Sequence, residues 1–101
     1  MNQEETSRTR LLLGDAALTR LAQARVALFG VGGVGGPCAE ALVRAGIGAL
    51  DVYDTDVVSP SNLTRQLVAL HSTLGQYKAE VMARRAADLK PACQVRAVPL
   101  F

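Results

Sequence analysis

Apolar residues recur three and four apart between Arg10 and Ala24, at Leu11, Leu12, Ala16, Leu18, Leu21 and Ala22, and predict helical structure interrupted at Gly14. Asp15 stands where it would cap a second helix running toward Gln23. The pattern then changes. Arg25-Val-Ala-Leu-Phe29 is apolar without alternation and predicts a strand buried on both faces. Gly30-Val-Gly-Gly-Val-Gly-Gly36 follows, and Pro37 is placed as the first residue of a helix that carries Ala39, Leu42 and Val43 and ends at Gly46 and Gly48. Leu50-Asp-Val-Tyr53 reads as a second strand, and residues 54–62 as a long loop. A short helix is expected over residues 63–70. A longer one starts near Gly75, runs through Lys78, Val81, Met82 and Leu89, and is stopped by Pro91. Gln94-Val-Arg-Ala-Val98 reads as a third strand.

The resulting order is β-α-β-α-β, which with right-handed crossovers gives an α/β fold: a Rossmann-like parallel sheet in the order 3-2-1. An N-terminal helical segment, residues 1–24, precedes a nucleotide-binding half-domain, residues 25–101. In a doubly wound sheet the first strand is central, and its other edge pairs with a fourth strand. None is predicted here, so the domain is expected to be incomplete, or its bare edge to be covered by a partner. No internal repeat or low-complexity tract is present.

Composition narrows the class. The chain has 101 residues and 10.6 kDa, enough for one small domain, and its 50% hydrophobic and 20% charged residues exclude a disordered segment. A net charge of +2 is too small to argue for nucleic acid by bulk electrostatics. The longest uncharged stretch, Val26 to Ala39, is broken by glycines and is shorter than the ~18 apolar residues a membrane span needs. The start, Met1 to Thr6, lacks the basic and apolar regions of a secretory signal. Cys38 and Cys93 form no CxxC pair, which excludes a thiolate zinc site and suits a reducing, cytoplasmic setting. Cys38 is expected to pack against the sheet, and His71 to sit at a helix end on the surface.

The glycine run supplies the candidate chemistry. Gly30, Gly32 and Gly35 form GxGxxG, with Gly33 in addition, straight after a strand and opening a helix. Such a corner lets backbone approach phosphates while the helix N-terminus offers free N–H groups. Asp54 stands near the ~20-residue spacing of the acid that holds ribose hydroxyls. A dinucleotide dehydrogenase needs little more. Here Asp56, Asn62, Arg65, Gln66 and Lys78 follow in the next stretch of chain. Arg65 and Lys78 are the candidate catalytic cations, suited to charge that grows on a leaving pyrophosphate.

Together these residues resemble the ubiquitin-activating-enzyme-like adenylyltransferase superfamily. The resemblance rests on Gly30–Gly35, on Asp54 and Asp56, on Ser61–Gln66 (SNLTRQ) and on Gly75–Lys78 (GQYK). Within it, Arg10–Gly14 (RLLLG), Ala39–Gly48 (AEALVRAGIG), Arg65–Leu70 (RQLVAL) and Lys78–Arg85 (KAEVMARR) are similar to the bacterial tRNA threonylcarbamoyladenosine dehydratases, whereas Leu63-Thr64 is more like the sulfur-carrier-activating members. The resemblance implies ATP-dependent adenylation of a carboxylate, with ATP and Mg2+ as cofactors, in a homodimer. It places Gly30, Gly32, Gly33 and Gly35 against the nucleotide, Asp54 on the ribose, and Asn62, Arg65, Gln66 and Lys78 along the triphosphate. Arg10 is the nearest match to an arginine that the partner protomer extends to the phosphates. The implied substrate is tRNA, whose threonylcarbamoyladenosine is activated and cyclised with net loss of water. A sulfur-carrier or sulfur-transfer protein is the alternative partner.

The family's magnesium-binding aspartate would fall beyond Phe101, so no metal ligand is assigned within this chain and full activity is not expected of it alone. Two other readings stay open from the residues. One is a nicotinamide-dependent oxidoreductase, built on the same glycine turn and Asp54. The other is a non-catalytic nucleotide-binding fragment.

Overall fold

The computed structural model describes residues 4–100; the first three residues of the expected helical segment 1–24, and Phe101 at the end of the expected half-domain 25–101, lie outside them. Helices α1 (Ser7–Leu13) and α2 (Asp15–Gln23) precede β1 (Arg25–Phe29), α3 (Gly35–Ala45), β2 (Ala49–Tyr53), α4 (Lys78–Leu89) and β3 (Gln94–Val98). The three strands pair in parallel in the order β1-β2-β3, the expected topology. The expected glycine stop is also present: α3 ends on Gly46, whose left-handed conformation (φ 109°) lets its N–H return to Leu42 and Val43.

In-register residues of parallel strands share a face. Val26, Leu50 and Val95, with Leu28, Val52 and Ala97, form the face that meets α3 and α4, and the core lies between these layers with Val31, Val43, Met82 and Ala86. The opposite face carries Arg25, Ala27, Phe29, Asp51, Tyr53 and Arg96. Here the expectation for β1 fails: its residues alternate between exposed and half-buried, and Phe29 is 67% exposed. Only one helical layer lies on the sheet among the described residues, so an unalternated apolar run ends up half outside. Phe29 instead stacks on Tyr53 with ring centroids 4.8 Å apart, and the Asp51 carboxylate is covered by Arg25 (2.8 and 3.1 Å) and Arg96 (3.4 Å). The outer edge of β1 has no strand partner among the described residues.

Three further expectations are corrected. No helix forms over residues 63–70: a single 3₁₀ turn, Pro60–Asn62, is followed by tight turns and a second 3₁₀ turn, His71–Thr73. Side chains capture the backbone there. Asn62 Oδ1 accepts from the Ser59 N–H at 2.9 Å, and the Thr73 hydroxyl donates to the Val68 carbonyl at 2.7 Å, competing with helical bonding. Asp15 does not cap α2 but is its first residue, after Gly14 (φ 83°), and its carboxylate pairs with Arg10 Nε at 2.5 Å. Pro37 is the third residue of α3 rather than the first, a first-turn position where its missing N–H costs nothing.

Candidate functional site

Every strand points its C-terminal end toward the same set of loops, where ligands bind in open α/β sheets. The glycine corner is shaped by two positions. Gly30 turns the chain out of β1 with φ 90°, a region that suits glycine alone, and a Cβ on Gly35 would meet the Gly30 carbonyl oxygen at 1.9 Å. The amides of Gly32, Gly33, Val34 and Gly35 have no hydrogen-bond acceptor among the described residues. They lie at the N-terminus of an 11-residue helix, with the space beside Gly33 open. Unpaired amides at the positive end of a helix dipole form an anion site.

Asp54 ties this corner to the next loop. Its Oδ2 accepts from the Val31 N–H at 2.9 Å and its Oδ1 from the Asp56 N–H at 2.8 Å, while the residue itself is buried. One lone pair on each oxygen remains for a ribose hydroxyl. The loop then returns: the Asp56 carbonyl accepts from the Lys78 N–H at 3.0 Å, and the Val58 N–H donates to Gln76 at 2.8 Å. Lys78 opens α4 with its side chain 7% exposed, and its ammonium lies 3.8 Å from Asp56 Oδ2.

Gln66 completes the floor. Its Nε2 is 3.4 Å from where a Gly32 Cβ would stand, Leu67 Cβ is 3.3 Å from that of Gly36, and the Gln66 Oε1 is buried without a partner. A buried acceptor lacking a donor is costly, and this one is held against the underside of the glycine corner at Gly32. Arg65 precedes Gln66 in the chain and is exposed. The structure therefore gathers Gly30, Gly32, Gly33, Gly35, Asp54, Asp56, Gln66 and Lys78 on one side of the sheet, with the Arg65 backbone beside them.

Two expected residues stand outside that cluster within one chain, Asn62 in the loop wall and Arg10, whose expected phosphate belongs to a partner protomer. Asn62 is buried, and its Oδ1 is taken by the Ser59 N–H and hydroxyl, so its carbonyl holds the loop. Arg10 lies with Thr6, Asp15, Leu18, Thr19, Ala22 and Gly46 around an open cavity of about 630 Å³, at the N-terminal ends of the strands. Strands of five residues put about 13 Å between that end and the glycine corner. Cys38 is exposed rather than packed on the sheet, because Ala39 and Val43 are the positions of α3 turned to the core. Sequence reasoning missed the amide of Val31 as the partner of Asp54, since a backbone donor leaves no mark on residue type.

A magnesium site is not supplied by these residues alone. No group of three His, Cys, Asp or Glu side chains converges among the described residues, and both Asp54 oxygens already accept backbone N–H bonds.

The ThiF family profile matches residues 6–101. The chain belongs to the ThiF family. It is 46% identical over 95 residues to the tRNA threonylcarbamoyladenosine dehydratase of Bacillus subtilis, an alignment covering 94% of this chain and 37% of that protein. It is 38% identical over 88 residues to the sulfur carrier protein adenylyltransferase of Thermus thermophilus, covering 87% of this chain and 32% of that one. The Escherichia coli tRNA N6-threonylcarbamoyladenosine dehydratase, solved in complex with ATP, superposes with a TM-score of 0.94 at 42% identity over 98% of this chain and 41% of its own. The chain thus spans well under half the length of these relatives. No helix is long and apolar enough to cross a membrane among the described residues.

Proposed function

We propose that this ThiF-family protein binds ATP across the glycine corner and takes part in adenylating a carboxylate, that of threonylcarbamoyladenosine in tRNA. The observation that carries the proposal is the convergence of four unpaired amides, Gly32 to Gly35, and the buried Lys78 ammonium on one side of the sheet. Amides and ammonium are donors without acceptors, and a polyphosphate is acceptors without donors.

The chemistry follows from that match. Asp54 orients the ribose through its remaining lone pairs, and the amides of Gly32 to Gly35 fix the phosphates by hydrogen bonds that need no reorganisation. The substrate carboxylate forms a bond to the α-phosphorus as the bond to the β,γ-pyrophosphate breaks. Lys78, with Arg65 able to fold in from its exposed position, neutralises charge on the departing pyrophosphate. Ring closure within the acyl adenylate then expels AMP, so water is lost overall without a free water leaving. A nicotinamide cofactor would use the corner and Asp54 but leave Lys78 and Arg65 without a growing charge to meet.

A homodimer and a cytoplasmic setting belong to the same proposal. Arg10, at the far end of the sheet, reaches a phosphate only from a second copy. The similarity to a sulfur carrier protein adenylyltransferase supports a second reading, in which the carboxylate is the C-terminus of a carrier protein.

Calorimetric titration of the protein with ATP and with NAD tests the proposal. ATP should bind, and Arg65→Ala should weaken it by roughly tenfold, the usual weight of a charged hydrogen bond. Tight NAD binding with no heat from ATP would refute it.

A further inference from the structure

Lys78 combines three unfavourable features for a cation. It is the first residue of α4, at the positive end of the helix dipole; its side chain is 7% exposed; and its ion partner, Asp56 Oδ2, stands 3.8 Å away. Direct charged hydrogen bonds run near 2.8 Å, so this pair neutralises without bonding tightly. The partners are unequal as well, since the Asp56 side chain is 71% exposed. The other nearby acid, Asp54, has both oxygens turned to backbone N–H groups of Val31 and Asp56.

The loop does not depend on the Asp56 carboxylate for its path. The Asp56 N–H donates to Asp54 and its carbonyl accepts from the Lys78 N–H at 3.0 Å, so the backbone is pinned on both sides while the side chain can swing into water. We infer that Asp56 is a placeholder anion: its carboxylate supplies the counter-charge at Lys78 that a phosphate takes over, and it is displaced when polyphosphate binds. The inference rests on the nucleotide site proposed above and deepens it. Asp56 then works against binding. It raises the threshold for a weak single-phosphate ligand, which cannot outcompete a tethered carboxylate, more than for a polyphosphate that reaches Lys78 and the glycine amides together.

The test is calorimetric titration of inorganic tripolyphosphate and of orthophosphate into wild type, Asp56→Asn and Asp56→Ser, all with EDTA so that no metal contributes. Both variants keep the two backbone bonds. Tripolyphosphate should bind the variants roughly three- to tenfold more tightly than wild type, and orthophosphate should gain at least as much. In a Lys78→Met background the gain should disappear, which assigns it to the pair. Wild type binding with equal or weaker binding by the variants would overturn the inference and leave the nucleotide site standing. So would loss of folding in both variants. Failure of wild type and variants alike to bind tripolyphosphate or ATP would overturn the site and the inference together.

Discussion

The loops at the C-terminal ends of the strands and the α1–α2 arm at their other end are held in opposite ways. In the loops, polar groups are bonded to one another in sequence: Val31 to Asp54, Asp54 to Asp56, Asp56 to Lys78, and Ser59 to Asn62. Asp54, Asn62 and Lys78 are all buried there. The arm buries none of its residues, and Leu11 and Leu12 are 88% and 82% exposed. Helices of seven and nine residues are too short to stand by their own propensity. The loops thus carry their order within the chain and can preorganise a site. The arm shows an apolar surface of the kind that contacts use.

The sharpest way to break that contrast lies in the glycine corner, where two neighbouring residues should behave differently. In Gly35→Ala the new Cβ would strike the Gly30 carbonyl oxygen at 1.9 Å, backbone against backbone, so β1 and α3 must separate. A loss of about 3 kcal/mol in urea unfolding is expected. In Gly33→Ala the Cβ meets nothing within 4 Å, so stability should stay within about 0.5 kcal/mol while ATP affinity falls as the methyl group crowds the free amides. Equal destabilisation by both would mean the corner is merely a tight turn.

The same contrast governs what could be read from the chain in advance. The strands, the glycine corner, the stop at Gly46 and the position of Asp54 were legible because each is written in residue type at a fixed spacing. Residues 63–70 were not. Leu63, Leu67 and Leu70 imitate helical spacing, while the deciding interactions are the captures by Asn62 and Thr73, which depend on where those side chains fold back. The exposed side of β1 was hidden for another reason: an apolar run records that a face is to be covered, and not which described element covers it. Within the site, residue types pointed to Lys78 and Gln66, but the burial of Lys78 and the unpaired Gln66 Oε1 come from packing alone.

Two arginine–aspartate pairs sharpen the comparison at a smaller scale. Asp51 in the sheet is 8% exposed and is held by Arg25 through two hydrogen bonds. That bonding keeps its carboxyl below the ordinary value, against a desolvation that pushes the other way, with the charges of Arg25 and Arg96 adding to the effect. As pH falls, the unfolded chain therefore takes up the proton first. The stability Asp51 contributes is complete above about pH 4 and drains as pH drops through the depressed folded value. Urea midpoints should fall less between pH 6 and pH 3 in Asp51→Asn than in wild type. Parallel curves would show the cluster to be idle. Asp15, 83% exposed in its pair with Arg10, has water as a competing partner and a correspondingly small effect on stability at neutral pH.

The smallest expected effect is the most informative about the arm. Leu12→Ala removes a side chain that is 82% exposed, so urea unfolding at low micromolar concentration should change by no more than about 0.5 kcal/mol. A buried leucine would cost about 2–5 kcal/mol. If a second copy covers the arm, as the homodimer proposal holds, the wild-type midpoint must rise with protein concentration while the variant's rises less, because association stabilises by mass action. Measuring both chains at two concentrations a hundredfold apart separates the cases. A concentration-independent midpoint with no cost for the substitution would leave the leucines in water, and Arg10 without a route to a phosphate.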